Sequence, residues 1–98
     1  MHITMITRIV KLNIADKHIA DFRTAFRNNY PKISGFPGCK EVRLVHDIKN
    51  PNIHFTISVW HAESDLENYR HSEIFADIWS TVKPWFQEKA EAWSTEEF

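Results

Sequence analysis

The chain has 98 residues, 43% hydrophobic and 26% charged, which is the profile of one soluble globular domain over residues 1–98 and excludes a disordered or fibrous chain. Its formal net charge is −1 with the 12 Lys and Arg scattered, so there is no electrostatic footprint for nucleic acid or anionic lipid. No apolar run approaches the roughly 20 residues needed to span a bilayer, and the lone Cys39 excludes an internal disulfide, which makes the cytoplasm the expected location.

Residues 3–12, "ITMITRIVKL", alternate and are rich in Ile, Thr and Val, which predicts a first strand and no signal peptide. The period then changes. Ile19, Phe22, Phe26, Tyr30 and Ile33 follow three- and four-residue steps, predicting an amphipathic helix with Asp16 as its N-cap and its end or a kink near Pro31 and Gly35. Arg23 and Arg27 lie four apart on it and read as a solvated face. The "GFPG" turn at 35–38 leads to a second strand, "CKEVRLVHD", and "IKNPN" at 48–52 reads as a hairpin connection.

A third strand follows in "IHFTISVW", with Phe55, Ile57 and Val59 on one face and His54, Thr56, Ser58 and Trp60 on the other. "SDLE" at 64–67 fits a capping box that opens a second helix. At roughly 100° per residue, Ile74, Phe75, Ile78, Trp79, Val82, Trp85 and Phe86 fall within an arc of about 140°, whereas Leu66 and Tyr69 lie about 80° or more outside it. A break near His71, with Ser72 capping a new helix that ends around Pro84 to Gln87, repairs the mismatch. "EAWST" at 91–95 predicts the last strand.

The order β-α-β-β-α-α-β is the α+β arrangement called ferredoxin-like, a four-stranded antiparallel sheet with helices on one face. Apolar groups occur on both faces of the predicted strands. The uncovered face therefore needs a second copy, and a homodimer packed sheet on sheet is expected, with Trp60 and Val10 near the subunit contacts.

Several chemistries are excluded by residue type. With Gly35 and Gly38 the only glycines, neither a dinucleotide turn nor a P-loop can be written. The six histidines share no metal-ligand spacing, and His71-Ser72-Glu73 lacks the paired cysteines of a zinc deaminase. No Ser sits in a nucleophile elbow, and nothing beside Cys39 makes a thiol motif. What remains is aromatic: four Trp, seven Phe and two Tyr. Tyr69, Phe75, Trp79 and Phe86 gather around the helix break, where they either line a concave site for a flat apolar ligand or fill a small core. His54, His61 and His71 are the candidate proton handlers.

The run "FTISVWHAESDLENYRHSEIFADIW", with "GFPGC" before it and "KAEAWS" after it, resembles the antibiotic biosynthesis monooxygenase domain family, small proteins of the dimeric α/β-barrel superfamily. The resemblance extends over essentially the whole chain. It implies a homodimer (a dimeric α+β barrel) with a pocket between each sheet and its helices. It also implies oxygenase activity without metal or flavin on quinol-like or polycyclic aromatic substrates, whose phenolate or enolate itself reduces O₂. The haem-degrading branch of the family needs an Asn on the first strand, a Trp at the helix corner and a His on the following helix. The matching positions here are Thr7, Tyr69 and Trp79, which speaks against haem degradation. Other relatives often place His or Trp at the corner, which makes Tyr69 the leading functional candidate.

Two functions of different class follow. In the first, the chain is a cofactor-independent monooxygenase of an aromatic small molecule: Tyr69 is the catalytic candidate that orients the substrate hydroxyl, Phe75 and Trp79 form apolar walls, Thr7 adds a hydrogen bond, and no cofactor or metal is expected. In the second, it is a non-catalytic dimeric module that binds a small apolar ligand or only assembles, as the lack of an acid-base pair suggests.

Overall fold

A computed structural model of the chain describes residues 4–98. Strand β1 (Ile6–Asn13) is followed by α1 (Ile19–Ser34), β2 (Cys39–His46), β3 (Ile53–Trp60), α2 (Glu63–Arg70), α3 (Glu73–Val82) and β4 (Glu91–Glu96). The strands form one antiparallel sheet in the order β2-β3-β1-β4, the ferredoxin-like α+β fold. Asn13 extends β1 by pairing with Ile53, while Thr4 and Met5 stay outside it; Ile3 lies outside the described residues.

Local chemistry accounts for most boundaries and corrects two of them. Asp16 is not a helix cap. It opens a one-turn 3₁₀ segment, Asp16–His18, and its carboxylate accepts from Asn52 Nδ2 at 2.5 Å, tying the start of the helical region to the β2–β3 hairpin. The capping box at 64–67 does not form either: with Ala62 instead of Ser64 as N-cap, α2 begins two residues earlier, at Glu63, and has no side-chain cap. The break at 71–72 forms as the periodicity predicts. Ser72 Oγ accepts from the Phe75 amide at 3.2 Å and donates to the Tyr69 carbonyl at 2.6 Å, so one hydroxyl closes α2 and opens α3. Past Val82, a 3₁₀ turn at Lys83–Trp85 carries Pro84.

Gly38 has φ +88°, a region L side chains rarely adopt. A Cβ there would also run into the Asp65 side chain in the first turn of α2.

Register decides what each face does. Directly paired residues share a face, and β1 pairs Ile6 with Trp60, Arg8 with Ser58, Val10 with Thr56 and Leu12 with His54. This face lies under the helices. Two packed clusters hold it: Leu12, Ile14, Phe22 and Val82 at one end, and Ile6, Trp60 and Leu66 at the other. The opposite face carries Thr7, Ile9 and Lys11 against Val59, Ile57 and Phe55, with Trp93, 47% exposed, across from Ile9. No helix covers it. Trp60, fully buried, and Val10 lie on the helix side, one residue of strand parity away from the uncovered face that a sheet-on-sheet contact would use.

Tyr30, placed by its spacing on the buried stripe of α1, is 44% exposed. It lies eight residues after Phe22, about 80° around the helix, and so falls at the edge of the stripe.

Candidate functional site

Between the two packed clusters the helices stand off the sheet and leave a cavity of about 350 Å³. Its floor is Arg8, Val10 and Leu12 of β1 with Thr56 and Ser58 of β3, and its roof comes from α1, α2 and α3. Aromatic rings run along that roof. Tyr69 stacks on Trp60 with centroids 5.1 Å apart and meets Phe75 edge-on at 5.3 Å. Phe75 stacks on Trp79 at 5.7 Å, and Trp79 meets Phe86 edge-on at 5.5 Å. Such pairings fix ring orientation beyond what burial alone does. Phe75 and Trp79 therefore satisfy both readings of the aromatic residues, packed against neighbouring rings and lining a cavity at once.

The helix break sets the position of Tyr69. Because α2 ends at Arg70 and α3 restarts from Ser72, Leu66 points into the Ile6–Trp60 cluster at 2% exposure while Tyr69 borders both that cluster and the cavity. Burial, with the nearby Cys39 adding a smaller contribution, pushes the Tyr69 phenol up to about 12. It therefore remains a protonated donor across the neutral range and is not a base. Among the described residues its hydroxyl makes no hydrogen bond, which leaves it free for a ligand.

Thr7 is not part of this site. It pairs with Val59 and Thr95 on the open face, and Thr95 Oγ1 donates to the Thr7 carbonyl at 2.8 Å. The β1 residue that reaches the cavity is its neighbour Arg8. The sequence did contain a signal for it: the inward positions of β1 are Ile6, Arg8, Val10 and Leu12, and a single guanidinium among three apolar side chains marks a place where charge is kept at the cost of burial. Arg70, Ser58, Thr56 and Asn29 complete the polar lining.

The histidines lie elsewhere. His54 is 1% exposed, with Nδ1 donating to the Asn52 carbonyl at 3.4 Å and Nε2 accepting from Arg23 Nε at 3.1 Å. Burial is the largest influence and lowers its pKa, the hydrogen bond to the Asn52 carbonyl opposes it in part, and the Arg23 and His46 charges add smaller lowering contributions, so it is a neutral structural acceptor. Arg23 is accordingly more than a solvated charge, since it is the partner that keeps His54 satisfied. His61 and His71 are exposed, and His71 Nδ1 donates to the Glu67 carbonyl at 2.8 Å. Burial raises the Cys39 thiol, outweighing its contact with the Glu41 carbonyl, which opposes a reactive thiolate. Among the described residues no group of three or more His, Cys, Asp or Glu side chains is placed to hold a metal ion, and no helix is long and apolar enough to cross a membrane.

Known structures with this arrangement are numerous. A conserved protein from Methanosarcina mazei Go1 superposes with a TM-score of 0.92 at 16% identity, over 98% of this chain and 95% of that one. A Bordetella bronchiseptica protein, provisionally described as an antibiotic biosynthesis monooxygenase, gives 0.87 at 21% identity over 97% and 98%. A Pseudomonas aeruginosa protein gives 0.84 at 18% over 100% and 99%. At such identities these likenesses show the fold alone. No curated protein matches the sequence. The family described as antibiotic biosynthesis monooxygenase, in contrast, matches residues 5–79, from the start of β1 through the Tyr69 corner to Trp79. On that match over most of its length, the chain belongs to the antibiotic biosynthesis monooxygenase family.

Proposed function

We propose that this protein is a cofactor-independent monooxygenase of a quinol-like or polycyclic aromatic small molecule, acting as a homodimer. The observation that carries this reading is the cavity of about 350 Å³, roofed by Tyr69, Phe75 and Trp79 and holding a few polar groups at its floor and edge. A flat ring system fits between such walls, and the polar groups orient it. The reaction balances with the substrate as sole reductant: in an anthrone a CH₂ centre and O₂ give C=O and H₂O, with the electrons coming from the two C–H bonds, and in a quinol a ring C–H and the two O–H groups supply the four electrons to give a hydroxyquinone and H₂O. The protein's part is to bind the electron-rich form, present a donor to its oxygen and keep bulk water away. Tyr69, with its proton held to high pH, is that donor.

The dimer reading is supported by the uncovered sheet face, where Ile9, Phe55, Ile57, Val59 and Trp93 form an apolar surface with no helix over it among the described residues.

The test is O₂ consumption with a panel of anthrones and hydroquinones. Wild type should turn over at least one of them, Tyr69→Phe should lower kcat about 10-fold or more, and Trp79→Ala should raise KM. Turnover that neither change alters removes the site assignment. A specific feature favours the second reading, a non-catalytic ligand-binding module: among the described residues no Asp, Glu or His lines the cavity, so none of those lining side chains is a general base. Binding of the same compounds with no O₂ uptake would support that reading instead.

A further inference from the structure

The polar lining of the cavity is unbalanced. Two guanidiniums, Arg8 and Arg70, border it. Arg70 has a counter-charge, with its Nη1 2.8 Å from Glu67 Oε1, and the same carboxylate lies 3.9 Å from His71 Nδ1. Arg8 has none. Among the described residues no carboxylate forms an ion pair with it, and its Nη1 donates only to the neutral Ser94 Oγ, at 2.9 Å. The other basic side chain on β1 shows the contrast: Lys11, on the open face, lies 3.6 Å from Glu91 on β4. Arg8 is half-buried, and burial first and Arg70 second work against its charge, with Glu67 a smaller favourable influence. An arginine does not escape this by losing its proton. The cost is recovered if a negative group comes to it.

Strand register fixes where that group would sit. Arg8 faces Ser58 on one side and Ser94 on the other, in a strand hydrogen-bonded along both edges, and so projects from a rigid floor. On the same face, one pair further along, lies Trp60, the ring on which Tyr69 stacks.

We propose that the cavity takes its aromatic ligand as an anion, with an ionised oxygen (carboxylate, phenolate or enolate) bound by the Arg8 guanidinium and Arg70 adding positive potential at the rim. This rests on the reading of the cavity as the substrate site and names the chemical class that enters it. It also accounts for the missing general base. A substrate held beside an unpaired guanidinium has its own pKa lowered and needs no side chain to remove its proton.

The experiment is calorimetric binding at pH 7.5, without turnover, of three naphthalene probes: 2-naphthoate for a carboxylate, 2,4-dinitro-1-naphthol for an ionised phenol, and neutral 2-naphthalenemethanol. Wild type should bind at least one anion about 10-fold or more tighter than the neutral probe, and that preference should shrink as salt rises from about 50 to about 500 mM. In Arg8→Gln the ratio of anion to neutral affinity should fall to near unity. Arg8→Lys should keep a several-fold preference, since the charge remains and the two-pronged donor is lost. Should Arg8→Gln fail to fold, Arg8→Lys and the salt dependence of wild type carry the test. Equal affinities for all three probes in wild type, or an anion preference that Arg8→Gln leaves intact, overturns the proposal while keeping the cavity as an aromatic-ligand site. Failure of all three to bind overturns both.

Discussion

Replacing Tyr69 by Phe should make the protein more resistant to alkali. The phenol ionises at about 12 in the folded chain and at about 10 when unfolded. The native state thus holds the proton more tightly, and unfolding becomes easier wherever the unfolded chain has released it and the native chain has not. The stability this group contributes is fully present below pH 10 and is lost as pH rises through 12. Two pKa units at about 1.4 kcal/mol each set the full loss at about 2 to 3 kcal/mol, of which about 2 kcal/mol has accrued by pH 11.5. Tyr69→Phe removes the ionisation and keeps the ring that stacks on Trp60 and Phe75. Its cost at pH 8 should stay under about 1 kcal/mol, since the hydroxyl has no protein hydrogen bond to lose among the described residues. Urea unfolding followed by tryptophan fluorescence at pH 9, 10.5 and 11.5 gives both curves, and the other alkaline titrations, common to both proteins, cancel in the difference. The wild-type curve should fall below that of the variant by about 2 kcal/mol between the first and last pH. Parallel curves would refute the burial argument for the raised Tyr69 phenol.

Three further outcomes follow from the geometry. Ser72→Ala removes the hydroxyl that serves both sides of the helix break and should cost about 1 kcal/mol by urea denaturation; no change would mean that Pro84 and the apolar stripe hold α3 unaided. Gly38→Ala combines positive φ with collision against Asp65 and should destabilise by about 2 kcal/mol or more, only partly relieved in the double variant with Asp65→Gly, since the backbone strain stays. Ile57→Asp places a charge in the middle of the uncovered sheet face and should convert a dimer to a folded monomer in sedimentation, with unchanged far-UV circular dichroism; a monomeric wild type, or a variant that stays dimeric, would remove this face as the interface.

The elements of the fold were largely legible in the sequence because they rest on local chemistry. Period-2 runs identified the strands, and the phase conflict between Leu66–Tyr69 and the Ile74–Phe86 stripe located the helix break that Ser72 seals. Where local chemistry offered two solutions, the sequence misled. Asp16 and Ser64 are both acceptable caps in isolation. In the folded chain Asp16 is drawn to Asn52, 36 positions away in sequence, and α2 starts two residues earlier, capped at Ala62, against the Gly38 turn.

Site composition was harder to read, because it depends on which side of the sheet each parity faces. The sequence divides β1 into two sets, Thr7, Ile9 and Lys11 against Ile6, Arg8, Val10 and Leu12, and from alternation alone either set can lie under the helices. Only the packing of Trp60 and Leu66 on Ile6 at one end, and of Phe22 and Val82 on Leu12 at the other, settles the choice. That choice removes Thr7 from the cavity, puts the unpaired charge of Arg8 into it and moves Trp60 from an expected interface into the core. The sequence by itself determined the strands, the helices and the aromatic corner, because those are set by neighbours a few residues apart. Tertiary structure decided which residues share an enclosed space, since that depends on contacts between segments the chain brings together only once it has folded.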